Sequence, residues 1–200
     1  MYLIIDSETI GLPNFEGLKF GKFPDYTNID KYDNARIVQL TFMKTDNNLN
    51  EIKINDYIIY SNNEFMVTNT EFHGITDEIS KSNGTDSNIV YDIFYKELCE
   101  CTHIIAHNID FDINVIKSEL YRKKLFHIII ELDKKNLICS MKYFKFIVQA
   151  KNKNGKIKNP SLKELYNFAF NEELENAHNS KYDVINLHKA VKKITNGIII

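Results

Sequence analysis

Tyr2-Leu3-Ile4-Ile5 is an unbroken apolar run, and such a run predicts a central strand over 2–6 that is covered on both faces. In "RIVQLTFMKT" the pattern changes: Val38, Leu40 and Phe42 alternate with Gln39 and Thr41. With "EIKINDYIIYS" following across Asn47-Asn48, this predicts an antiparallel hairpin. Ile89, Ile93, Phe94 and Leu98 have helical spacing and predict a helix from Asp86 to Cys101, after which "HIIAHN" reads as a short buried strand. From Asp110 the helical period returns through Val115, Ile116 and Leu120 and ends on "YRKK", cations that suit a helix C-terminus. "NLICSM" is another strand pattern, running into helix-like "KYFKFIVQA". After the loop "KNKNGKIKNP", "SLKELYNFAF" restarts a helix with Ser161 as N-cap and Glu164 three residues on. Val184, Leu187, Val191 and Ile194 predict a last helix over about Ser180 to Thr195. The alternation of strand and helix reads as α/β. Residues 13–35, "PNFEGLKFGKFPDYTNIDKYDNA", carry Gly17, Gly21 and Pro24 and break the pattern. A connection that long is expected to be functional or packed as a lid.

Composition narrows the class without choosing a function. The length of 200 residues suits one domain over 1–200 with the 13–35 loop as an insert. A formal net charge of -2, with 26% charged residues, excludes a global basic field, so any contact with nucleic acid has to be local. No apolar run approaches the ~18 residues of a membrane span and Asp6 interrupts the first run early, so the chain is expected in the cytoplasm or nucleus, away from membranes. Cys99, Cys101 and Cys139 are too few for a disulfide framework and read as reduced bystanders, and the sequon at Asn83 reads as a polar loop.

Three acidic points carry the chemistry. Asp6 and Glu8 stand at the C-terminal end of the first strand, where alternate residues share a face and one divalent ion if the strand runs on. Oxygen-only ligands favour Mg²⁺ or Mn²⁺ over zinc. The second point is "AHNIDFDINVI": His107 and Asn108 end a strand, Asp110 reads as a helix cap, and Asp112 lies further into the first turn. The third is "HNSKYDVINLH", with His178 ahead of the last helix and Asp183 in its first turns; a lone His there is more often a cap or a surface residue.

In these motifs the chain resembles the DEDD 3′→5′ exonucleases, in the histidine subgroup, which includes the proofreading subunit of bacterial DNA polymerase III and RNase T. "DSETIGL" matches Asp-x-Glu-Thr-x-Gly, "HNIDFD" matches the second motif, and His178 with Asp183 matches His-x4-Asp. A tyrosine-subgroup motif would need Tyr at Asn179. "RIVQL", "FHGIT" and "PSLKELYNF" are softer matches, while Ser7 and Ile10 stand where Thr is usual. The resemblance spans nearly the whole chain and implies an RNase H-like mixed five-stranded sheet, the first three strands antiparallel and the later ones parallel to the first.

The resemblance also implies roles. Asp6, Glu8, Asp112 and Asp183 would hold two Mg²⁺ ions, with Mn²⁺ able to substitute, and His178 would act as general base. Ser7, Thr9, Gly11, Leu12, His73 and Asn108 would surround the terminal nucleotide. The implied activity is hydrolysis from the 3′ end of a single strand, DNA before RNA, releasing nucleoside monophosphates, in proofreading or repair with a polymerase or a second copy as partner. The alternatives are a catalytically silent nucleic-acid-binding protein and a phosphodiesterase of small nucleotides. Phe15, Phe20, Phe23 and Tyr26, interleaved with Lys19 and Lys22, suit either base stacking or packing on the core.

Overall fold

The computed structural model of the chain describes residues 1–174 and 179–199. The opening apolar run becomes β1 (Tyr2–Thr9), the middle strand of a five-stranded sheet of order β3-β2-β1-β4-β5 among the described residues. β2 (Ile37–Thr45) and β3 (Glu51–Ile58) form the antiparallel hairpin, with Asp6 opposite Thr41, Glu8 opposite Gln39, and Thr41 opposite Asp56. Their turn is longer than an Asn-Asn pair, because the Asp46 carboxylate accepts from the backbone N–H groups of Asn48 and Asn50, both at 2.8 Å, and so organises a wider loop. β4 (His103–Ala106) lies parallel to β1, and β5 (Asn136–Cys139) parallel to β4. The sheet is thus the mixed α/β arrangement expected.

The helices are α1 (Thr70–His73), α2 (Asp77–Asn83), α3 (Ser87–Glu100), α4 (Ile109–Arg122), α5 (Phe126–Leu132), α6 (Ser140–Tyr143), α7 (Lys145–Val148), α8 (Leu162–Phe170) and α9 (Ser180–Thr195). α1, α2 and α5 are too short to show a periodic stripe. The helix-like "KYFKFIVQA" divides into α6 and α7 at Phe144, whose ring is buried. α8 starts on the expected capping box of Ser161 and Glu164. No helix among the described residues is long and apolar enough to cross a membrane.

Strand alternation sorts the core into layers. Leu3 and Ile5 pack with Val90, Phe94, Val115 and Ile116 on the α3 and α4 side. Tyr2 and Ile4 pack with Leu165, Val184, Leu187 and Val191 on the α8 and α9 side. Asp6 and Glu8 continue this second face toward α9. β2 is buried at every position, so its polar residues Gln39 and Thr41 lie under a helix and do not face water.

The second half of the 13–35 excursion packs as a lid against α4. The Tyr32 side chain is fully buried and its hydroxyl donates to the Pro24 carbonyl at 2.7 Å, while Tyr26 meets Tyr121 edge-on at 6.1 Å. Arg122 donates to the Ile29 carbonyl and pairs with Asp33 at 2.5 Å.

Candidate metal centre

Three carboxylates from opposite ends of the chain meet at the C-terminal end of β1. Asp6, Glu8 and Asp183 each present an oxygen, and these oxygens lie within 4.8 Å of one another. β1 does run on past Ile5, which keeps Asp6 and Glu8 on one face. A bulge between Glu8 and Thr9 then bends the strand beside the site. Asp183 stands in the first turn of α9, its N–H donating to the Asn179 carbonyl at 3.0 Å.

Asp112 reaches the same strand from the other layer. It is buried in the first turn of α4, and its Oδ1 accepts from the Ser7 N–H at 3.0 Å and the Ser7 hydroxyl at 2.8 Å. Ser7, expected beside the nucleotide, directs its N–H and its hydroxyl at this carboxylate. Burial raises the Asp6 pKa well above its ordinary value, and the charges of Asp112, Asp183 and Glu8 add to the rise. Glu8 is pushed up to about 7 by burial and then by Asp183. Asp112 is also pushed up to about 7 by burial, against the hydrogen bonds from Ser7 that favour its ionised form. Hard oxygen donors that resist ionising together are the donor set a divalent cation fits, because the ion offsets both the burial and the mutual repulsion.

The remaining expected site residues divide by environment. Leu12 is largely exposed, and Asn108 holds a left-handed turn ahead of α4. The Thr9 hydroxyl donates to the Gly11 carbonyl at 2.6 Å. At Gly11 a Cβ would sit 2.7 Å from the Asn34 carbonyl oxygen, so this close approach requires glycine. His73 is buried with both ring nitrogens engaged: Nε2 bonds the Thr68 carbonyl at 3.0 Å and Nδ1 accepts from the Ile75 N–H at 3.1 Å. Those partners fix the neutral tautomer protonated on Nε2, and burial lowers its pKa. Ile10 packs inward with Val38, Val67 and Ile75. Asp110 does not cap α4. It pairs with Lys142 at 2.6 Å, while Asn108 occupies the cap position. His178 lies outside the described residues.

Sequence reasoning missed a buried relay that seats α9. Asp56 Oδ1 accepts from Gln39 Nε2 at 2.8 Å and from the Thr41 hydroxyl at 2.9 Å. Thr41 has thereby used its one proton, so the 2.6 Å contact with Ser180 has the Ser180 hydroxyl donating. The Ser180 N–H donates to Gln39 Oε1 at 3.4 Å. Gln39 and Thr41 are the residues paired with Glu8 and Asp6 across the strands, so the relay ties Asp183's helix to the strand beside β1. Polar residues two apart in an otherwise apolar strand were the available signal, but their partners depend on register. Ser180→Ala is expected to weaken Mg²⁺ binding at this candidate centre about 10–100-fold, as loss of a ligand-orienting contact does. A magnesium titration checks this, and an unchanged midpoint would remove Ser180 from the site.

A family model described as Exonuclease, of the RNase T type, matches residues 3–191. A comparison with curated proteins finds no match. Among solved structures, E. coli exonuclease I in complex with a dT13 oligonucleotide is similar at TM-score 0.71 and 16% identity, over 98% of this chain and 40% of that one. The zinc ion bound form of the E. coli exonuclease I complex with single-stranded DNA gives TM-score 0.72 at 16% identity, again over 98% and 40%. Exonuclease X in complex with 5′ overhanging duplex DNA gives TM-score 0.61 at 16% identity, over 98% of this chain and 92% of that one. The chain thus spans about two-fifths of the exonuclease I chains. At these identities the likeness shows the fold, which is that of exonucleases.

Proposed function

The chain belongs to the exonuclease family, and from that premise we propose that it is a divalent-metal-dependent 3′→5′ exonuclease. In this reading one domain over 1–200 removes nucleoside monophosphates from the 3′ ends of single strands, DNA before RNA. The observation that carries it is the convergence of Asp6, Glu8 and Asp183 within 4.8 Å, with Asp112 fixed alongside by Ser7. Asp6, Glu8, Asp112 and Asp183 would hold two Mg²⁺ ions. When bound, such ions lower the pKa of water and offset charge on the phosphate.

The protein's own groups then have defined tasks. Ser7 keeps the ionised oxygen of Asp112 turned toward β1, and the Gln39, Thr41 and Ser180 relay keeps Asp183 in place. Leu12 offers an apolar surface to the terminal base, and Asn108 offers an amide beside it. His178 takes the proton from the attacking water, which requires a neutral imidazole.

Matched 3′-labelled and 5′-labelled DNA and RNA strands, incubated with Mg²⁺, Mn²⁺ or EDTA, test the proposal. Expected are immediate release of the 3′ label as mononucleotide, a descending ladder from the 5′-labelled strand, and no reaction in EDTA. The rate is expected to rise with pH through about 6.5, the ordinary His pKa, and above it, as His178 becomes neutral. Binding without cleavage would leave a silent nucleic-acid-binding protein, and cleavage confined to short esters would leave a small-nucleotide phosphodiesterase.

A further inference from the structure

The outer half of the 13–35 insert has a repeated construction. In "FEGLKFGK" the Leu18 N–H donates to the Phe15 carbonyl at 3.0 Å, and four residues later the Lys22 N–H donates to the Lys19 carbonyl at 3.0 Å. Gly17 and Gly21, each third in its turn, have φ of 78° and 77°, the position where a type II turn needs a left-handed residue. Two turns in tandem make a hoop with Phe20 second in its turn and its ring fully exposed. Phe15 meets Phe23 edge-on at 5.5 Å, and Phe23 meets Phe111 at 6.4 Å, one residue before Asp112. Through that aromatic chain the hoop is fastened to the helix that carries a metal-site carboxylate.

Between the hoop and α4 lies a cavity of about 700 Å³, walled by Phe15, Leu18 and Phe20 on one side and by Asn108 and Met141 on the other. Lys142 on its floor is paired with Asp110, whereas Lys19 and Lys22 make no ion pair among the described residues. Asn108 precedes Asp112 by four residues, a rise of about 6 Å along the helix. One wall of the cavity therefore stands about one helical turn from the carboxylate of the candidate metal centre on α4.

Resting on the nuclease reading, we propose that this hoop binds a nucleotide upstream of the scissile phosphate in a single strand, its base stacked on Phe20 and its phosphates on Lys19 and Lys22. Exposed aromatic rings beside uncommitted lysines are the pairing that holds single strands without regard to sequence. A lone anion would have no use for the rings, and an apolar ligand none for the lysines.

The chain contains no tryptophan, so Phe20→Trp introduces a single reporter. A (dT)12 strand with a phosphorothioate at its 3′-terminal linkage, in Mg²⁺, is expected to quench that fluorescence saturably. Phe20→Ala is expected to bind the same strand roughly 5- to 100-fold more weakly, the range of one base–aromatic stack. Its kcat/KM on thymidine 5′-phosphate p-nitrophenyl ester, which has no upstream nucleotide, should match wild type. Equal binding by Phe20→Ala with no quench in Phe20→Trp, while wild type still digests DNA, would overturn the hoop's role alone. Equal loss on the ester would make the hoop a structural element and also overturn it. Failure of wild type on both substrates would end the nuclease reading and this one together.

Discussion

Replacing Asp6 by asparagine is expected to lower nuclease activity about a thousand-fold or more and, in EDTA at pH 8, to raise the melting temperature. On the proposed reading, the activity loss follows because Asp6 would be a charged ligand of the ions at the reacting phosphate, an interaction of about 4 kcal/mol or more. The stability gain follows from linkage. Burial and the neighbouring acids raise Asp6 well above its ordinary value, and Glu8 and Asp112 are pushed up to about 7. A carboxyl whose folded pKa exceeds its unfolded one stabilises the fold fully below the unfolded value near 4. That contribution is lost as pH rises through the folded value, so the metal-free protein should weaken between about pH 4 and pH 7. Asparagine removes one of the repelling charges. A gain of 1 kcal/mol corresponds to about 2–4 °C at this chain length. Melting curves at pH 5 and pH 8, with EDTA and with Mg²⁺, check both parts: the variant's advantage should vanish at pH 5, and Mg²⁺ at pH 8 should stabilise the wild type more than the variant. A variant less stable than wild type in EDTA at pH 8 would contradict the charge account.

The largest loss of stability is expected from Arg36→Met. Arg36 and Glu119 are both buried and form a two-pronged pair, Arg36 Nε donating to one carboxylate oxygen and its second nitrogen to the other at 3.2 Å. Arg36 also bonds Glu64 at 3.0 Å, and Glu64 in turn bonds Lys123 at 2.7 Å. Removing only the cation strands a charge in the interior, which costs about 3–5 kcal/mol. For a chain of this length that lowers the melting temperature by about 6–20 °C. The double variant Arg36→Met, Glu119→Leu should recover most of the loss, because an apolar pair of similar volume is often neutral. Glu119 stands seven residues after Asp112 on one face of α4, so the pair also sets the rotation at which Asp112 meets Ser7. A fall of only a degree or two in the single variant would show that α4 is held by its apolar contacts alone.

The parts of the fold that could be read in advance are those set by local pattern. Continuous or alternating apolar residues placed all five strands, helical spacing placed α3, α4 and α9, and the capping pair Ser161 and Glu164 placed α8. α1, α2 and α5 span seven residues or fewer and offer no stripe to count. Asp6 and Glu8 were legible because they share a strand face, and Asp183 because it follows a helix start. The bonds from Ser7 to Asp112 were not legible, since they depend on α4 docking against the opposite face of β1. The partners of His73, the Thr68 carbonyl before α1 and the Ile75 N–H after it, were likewise not legible. Gln39, Thr41, Asp56 and Ser180 make sense only once strand register is known, and register is a property of pairs that a single segment does not carry.

The candidate metal centre draws on both layers around the sheet, with Asp112 from one side and Asp183 from the other. This has a consequence for how the protein is made. Synthesis proceeds at about 5–20 residues per second and folding follows it from the N-terminal side. Asp6, Glu8 and Asp112 can be in place while α9 is still inside the ribosome, yet the cluster within 4.8 Å needs Asp183. On the proposed reading, the ability to hold ions is therefore acquired abruptly, when α9 settles on β2 through Ser180.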